Sequence, residues 1–144
     1  MKVDHIGYLC TDIQKSIAKF QALGYRKASA VHSDNQPNYV EQGWGSRYVY
    51  ICFMENGNTR VELVSPMNEE SDVWQTLKRQ GEGPYHICYS VRNLDAEIDG
   101  LKKDGWMLLK RPAVAVAFDG ARVAFMFCRG AGVIELVETE DEEG

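Results

Sequence analysis

Long apolar runs, closely paired cysteines and basic clusters are all missing from this chain of 144 residues. No apolar stretch approaches the roughly 18 residues that a membrane span needs. The start, MKVDHIGYLC, passes straight into alternating strand-like sequence, which argues against a signal peptide. A cytoplasmic protein without membrane association is expected. No two of the cysteines Cys10, Cys52, Cys88 and Cys128 have the C-x-x-C spacing of a zinc or redox motif. Each lies in or at the end of an apolar, strand-like run and reads as a reduced thiol acting as a small core hydrophobe.

Sixteen basic residues against 21 acidic ones leave a net charge of −5. Five of the acids, Glu138, Glu140, Asp141, Glu142 and Glu143, lie in the tail, so the rest of the chain balances at 16 against 16. The tail reads as a solvated end, and nothing resembles the basic footprint of a nucleic-acid binder. With 44% apolar and 26% charged residues the chain is globular rather than disordered. Its length suits one compact domain over 1–144, or two small repeated units sharing one core.

What the chain does contain is a repeat. VDHIGYLCTDIQKSIAKFQALGY (3–25) aligns without a gap on PYHICYSVRNLDAEIDGLKKDGW (84–106), at an offset of 81. His5 meets His86, Tyr8 meets Tyr89, Ile17 meets Ile98 and Gly24 meets Gly105. Each unit reads as strand, turn, helix, glycine. Ile13, Ile17 and Phe20 form one apolar helix face, and Leu94, Ile98 and Leu101 form the other. Thr11 with Gln14 resembles a capping box, Asn93 is placed to cap the second helix, and Gly24 and Gly105 are placed as C-terminal caps.

RVELVSP (60–66) then resembles VIELVET (133–139) at an offset of 73, and β-rich runs precede both, YVYICFM (48–54) and RVAFMFC (122–128). ENGNT (55–59) and CRGAG (128–132) read as hairpin turns. The expectation is an α+β fold of two tandem βαβββ modules: module one about 2–66, a linker with a short helix from Ser71 to Gln80 about 67–83, module two about 84–138, and an acidic tail 139–144.

The chain has only three histidines. His5 and His86 occupy equivalent positions of the repeat, as do Glu62 and Glu135, inside strands where glutamate is disfavoured. A lone carboxylate on a largely apolar strand face is costly unless paired or bound to a cation. Two imidazoles and two carboxylates converging by pseudo-twofold symmetry would make a divalent metal site, suited to Zn²⁺, Ni²⁺, Co²⁺, Fe²⁺ or Mn²⁺. His32, in the polar run HSDNQPN (32–38), reads as a loop residue.

The βαβββ duplication with this His/Glu/His/Glu pattern resembles the vicinal oxygen chelate superfamily. That group includes glyoxalase I, methylmalonyl-CoA epimerase, extradiol dioxygenases, and fosfomycin and bleomycin resistance proteins. DHIGYLCTDI, RVELVSP, PYHICYSV and GVIELVE carry the resemblance, which spans about residues 2–138. It implies a half-open mixed β-barrel with helices outside, and His5, Glu62, His86 and Glu135 as the four metal ligands. The implied chemistry is chelation of neighbouring substrate oxygens with stabilisation of an enolate or enediolate. Metal-assisted removal of a proton α to a carbonyl would fit, with Glu135 or Glu62 as the base.

An extradiol dioxygenase is disfavoured, because Glu62 as a fourth ligand would occupy a position needed for substrate or oxygen. A metal-free binding protein is disfavoured by the complete ligand set. GYLCTDIQKSIAKFQALGY, RVELVSP and PYHICYSV are most similar to short bacterial glyoxalase I-like proteins. The leading expectation is therefore the lyase reaction on the hemithioacetal of methylglyoxal and a thiol such as glutathione. The alternative is an epimerase acting on a CoA thioester such as methylmalonyl-CoA. For the epimerase speak EQG (41–43), which resembles a segment with a catalytic glutamate and maps it to Glu41, and PMNEES (66–71). Against it stand the intervening WGSR (44–47), the short hairpin CRGAG, and RPAVAVAFDG (111–120) in place of a glycine-rich, histidine-containing loop.

Trp44, Phe118 and Met126 are candidates to line a pocket or to pack. Arg47, Lys110 and Arg122 are candidates to meet an anionic thiol carrier. An exposed sheet edge between the modules would make a homodimer the default.

Overall fold

The computed structural model describes residues 1–28, 48–115 and 120–140. Its elements run β1 (Lys2–Leu9), α1 (Ile13–Ala22), β2 (Arg26–Lys27), β3 (Val49–Asn56), β4 (Thr59–Pro66), α2 (Trp74–Gln80), β5 (Gly83–Val91), α3 (Leu94–Lys103), β6 (Met107–Ala115), β7 (Ala121–Cys128) and β8 (Gly132–Glu138). The βαβββ repeat is therefore present twice. The strands form one mixed sheet in the order β2-β3-β4-β1-β5-β8-β7-β6, which does not close into a barrel. That order reads the same from either end under exchange of the two repeats, so a pseudo-twofold axis passes between β1 and β5.

Each helix end follows from its residues. Asp12 and Asn93, equivalent in the repeat, are the N-caps. Their side chains accept from the backbone N–H of Lys15 at 3.2 Å and of Ala96 at 3.0 Å. Such a cap contributes about 1 kcal/mol. The capping box expected from Thr11 does not form, because the Thr11 N–H donates instead to Glu82 at 2.7 Å. Both C-termini close with a Schellman motif. The N–H of Gly24 donates to Gln21 and that of Tyr25 to Phe20, while Gly105 and Trp106 donate to Lys102 and Leu101. Gly24 and Gly105 have φ of 99° and 94°, which a side chain would resist. The linker helix is shorter than expected and starts at Trp74.

Strand alternation divides the sheet into two faces. On one, Ile13 and Ile17 of α1 pack on Cys10, Cys52, Met54, Val61 and Leu63, and Leu94 and Ile98 of α3 pack on Ala124, Met126, Ile134 and Leu136. Met126 is thus a packing residue beneath α3. On the other face the register pairs Phe53 with Glu62 and Phe125 with Glu135. All four cysteines are free; Cys10 and Cys52 are buried among apolar side chains, and Cys88 is buried beside His5.

Two expectations need correction. β1 and β5 pair with each other in the middle of the sheet, so the exposed edge expected between the modules does not exist. Glu138, assigned to the solvated tail, ends β8 and accepts the Leu94 N–H at 2.9 Å, so it ties the sheet to the start of α3. No helix among the described residues is long and apolar enough to cross a membrane.

Candidate metal centre

The four central strands each contribute one residue: His5 from β1, Glu62 from β4, His86 from β5 and Glu135 from β8. The register explains the convergence. Gly7 pairs with both Glu62 and His86, and Cys88 pairs with both His5 and Glu135. Two adjacent rows across the sheet, Glu62–Gly7–His86 and His5–Cys88–Glu135, thus set all four side chains together. One donor atom from each lies within 4.8 Å of the others, all from one chain. His5 Nε2 lies 3.3 Å from Glu62 Oε1 and 3.4 Å from Glu135 Oε1, and His86 Nε2 lies 3.0 Å from Glu135 Oε1 and 3.9 Å from Glu62 Oε1.

All four are 5% exposed or less. Two carboxylates so deeply buried and so close repel each other and are costly unless compensated. Yet His86 Nδ1, His86 Nε2 and Glu135 Oε1 are buried without a hydrogen bond among the described residues. Close donors of imidazole and carboxylate type, left unsatisfied, are what a divalent first-row cation requires. The residues present therefore fit such an ion.

Burial alone pushes the Glu135 carboxyl up, but the adjoining His5 and His86 outweigh it and hold the group down at about 2. Burial pushes the His5 imidazole down, and Asp4, Cys88, Glu135 and Glu62 outweigh it, raising it well above its usual value.

Three features were not anticipated. Gly7 provides the space for His86: a Cβ there would stand 2.6 Å from Nδ1 and 2.7 Å from Nε2 of that ring, closer than real side chains come. Phe53 and Phe125, which pair with Glu62 and Glu135 in the sheet, meet the His5 and His86 rings edge to face with centroids 5.5 and 5.6 Å apart. Asp4 accepts a hydrogen bond from the other side of the His5 ring at 2.7 Å. Gly7 and Asp4 lie in the repeat-bearing stretch DHIGY, beside the histidine, which is the signal that was available.

Of the other candidates, Arg122 bonds Asp95 at 3.0 and 3.3 Å and lies 3.7 Å from Glu138, so it serves the α3–β8 junction rather than an anionic ligand. Glu41, His32, Trp44, Arg47 and Phe118 lie outside the described residues.

Residues 4–125 match the family described as the Glyoxalase/Bleomycin resistance protein/Dioxygenase superfamily. The human mitochondrial methylmalonyl-CoA epimerase is 29% identical over 141 residues, covering 96% of this chain and 73% of that protein. The mouse mitochondrial methylmalonyl-CoA epimerase is 32% identical over 141 residues, covering 96% and 72%. A solved structure of a hypothetical protein from Bacillus halodurans superposes with a TM-score of 0.76 at 26% identity, covering 98% of this chain and 96% of that one. The human and mouse relatives are named as epimerases and not as lactoylglutathione lyases, which favours the alternative expectation over the leading one. The chain belongs to the glyoxalase/bleomycin resistance/dioxygenase superfamily, the vicinal oxygen chelate group.

Proposed function

We propose that this protein is an epimerase of a 2-carboxyacyl-CoA thioester of the methylmalonyl-CoA type, with a divalent ion held by His5, Glu62, His86 and Glu135. The observation that carries the reading is the similarity to the human and mouse methylmalonyl-CoA epimerases, which covers 96% of this chain and 73% and 72% of those proteins. Ni²⁺, Co²⁺ and Zn²⁺ suit this donor set, and Mn²⁺ and Fe²⁺ follow. A bound ion would act as a Lewis acid on the thioester carbonyl, raising the acidity of the adjoining C–H.

The chain's own residues do the rest. The imidazole rings of His5 and His86 pack against Phe53 and Phe125 and would supply one nitrogen each to the ion. Glu62 and Glu135 would bring negative charge to offset the cation's, and either is a candidate to take the proton from the carbon beside the thioester carbonyl. Inverting a stereocentre requires a proton to leave one face and another to arrive on the opposite face. Glu41 is the candidate for the second face, on the resemblance carried by EQG (41–43). All four candidate ligands come from one chain, so the site needs no second copy.

The test follows loss of the α-hydrogen of (2R)- and (2S)-methylmalonyl-CoA in D₂O, with metal-loaded protein, chelated protein and Glu135→Ala. Metal-dependent exchange that disappears with Glu135→Ala supports the reading. Turnover of the glutathione–methylglyoxal hemithioacetal with no exchange on methylmalonyl-CoA would replace it with the lyase.

A further inference from the structure

The candidate ligands obey the pseudo-twofold symmetry, but what stands behind them does not. Consecutive residues of a strand point to opposite faces, so Asp4 would ordinarily turn away from His5. The β1–β5 pairing shifts register between Val3 and His5, leaving Asp4 as the extra residue of a bulge. A bulge re-aims a side chain, and here Asp4 Oδ2 comes within 2.7 Å of His5 Nδ1. Arg60 holds Asp4 from the far side, its Nη1 donating to the same oxygen at 3.3 Å. The Arg60 guanidinium also lies 4.3 Å over the Phe53 ring, which sets its edge against His5. Asp4, His5, Phe53 and Arg60 thus form a closed ring of contacts around one imidazole.

The other half lacks this support. At the offsets of the repeat, Tyr85 stands where Asp4 stands and Val133 stands where Arg60 stands. His86 meets the Tyr85 ring at 4.4 Å, and its Nδ1 is buried with no hydrogen bond.

We infer that Asp4, fixed by Arg60, is a positioning residue of the metal centre: by accepting from His5 Nδ1–H it presents Nε2 to the ion and makes the β1 half the anchor of the site. The inference rests on reading the four residues as a metal centre. Histidine ligands commonly donate their second ring N–H to a carboxylate, and loss of that partner costs 10–100-fold in metal affinity. With Nδ1–H donating to Asp4, Nε2 is the ring nitrogen left facing Glu62 and Glu135, at 3.3 and 3.4 Å, and the bond resists rotation of the ring.

The experiment measures Co²⁺ and Zn²⁺ affinity of the full chain against a chromophoric chelator, for wild type, Asp4→Ala, Asp4→Asn, Arg60→Met and Tyr85→Phe. A second readout is the nitrogen NMR spectrum of the histidine rings in metal-free protein. Asp4→Ala is expected to bind 10–100-fold more weakly, Asp4→Asn and Arg60→Met less so, and Tyr85→Phe unchanged. The His5 resonances of wild type are expected to show an Nδ1–H hydrogen-bonded to carboxylate, and to lose that signature in Asp4→Ala. Asp4→Asn keeps the shape if Asp4→Ala does not fold. Wild type binding an ion with both Asp4 variants within threefold of it would overturn the positioning role and leave the metal reading standing. Wild type binding no ion would overturn both.

Discussion

Replacing Gly7 by alanine should disable the metal centre while adding a single methyl group. The backbone of Gly7 does not have a left-handed φ, so conformation is not the obstacle. Space is. The new Cβ would stand 2.6 and 2.7 Å from the two nitrogens of the His86 ring, where ordinary contact begins at 3.4 Å. The ring must retreat by about 0.8 Å or more, since its Cε1 lies nearer still, against a tolerance of about 0.2 Å in metal–ligand distances. Overpacking of this kind costs about 1–3 kcal/mol of stability, which leaves a folded chain. Metal affinity should fall by about 100-fold or more, the upper end of what a lost supporting residue costs. The assay pairs chelator competition with thermal denaturation for wild type, Gly7→Ala, His86→Ala and the double variant. Because the clash is with the His86 ring, removing that ring should relieve it. The double variant should be no less stable than His86→Ala alone, with a coupling energy above the ~0.5 kcal/mol of independent sites. Wild-type metal affinity in Gly7→Ala, or additive stabilities across the cycle, would refute the reasoning.

Other outcomes are expected from the same geometry. Saturating the site at 100 times the dissociation constant stabilises the fold by about 2.7 kcal/mol, so chelation should lower the melting temperature by roughly 5–10 °C; an unchanged melting temperature would contradict it. In metal-free protein the depressed Glu135 contributes stability present above its usual 4.5 and lost as pH falls toward about 2. The raised His5 contributes stability present below its usual 6.5 and lost as pH rises through its higher native value. Melting temperature without metal should therefore peak between these limits. The increment from added metal should grow from pH 6 to 8, because the proton and the ion compete for His5; melting curves across pH with and without Co²⁺ check both trends. Glu41→Gln should cut turnover about 100-fold or more with metal content unchanged; undiminished turnover would remove Glu41 from the reaction.

The internal repeat made much of this architecture readable. Offsets of 81 and 73 placed His5 over His86 and Glu62 over Glu135, and symmetry in the chain became symmetry in the sheet because each βαβββ unit packs its helix on one face. Gly24, Gly105 and Asn93 were legible because caps are local devices. What stayed hidden depends on register between distant strands. Gly7 reads as a weak strand position until β1 is laid beside β5 and the His86 ring is found above it. Asp4 reads as outward-facing until the bulge turns it. Glu138 reads as one more acid of a charged tail until β8 brings it to the first turn of α3. The choice between lyase and epimerase was hidden for a different reason: one set of ligands serves both reactions, and the difference lies in what binds the thiol carrier and where a second proton donor stands.

The most direct test of the central claim is an anomalous diffraction measurement at the cobalt edge on crystals of the cobalt-loaded protein. The account predicts one strong peak per chain, within coordination distance of His5 Nε2, His86 Nε2 and one oxygen each of Glu62 and Glu135. No peak among these four residues, or an ion held elsewhere while they remain bonded only to one another, would contradict it.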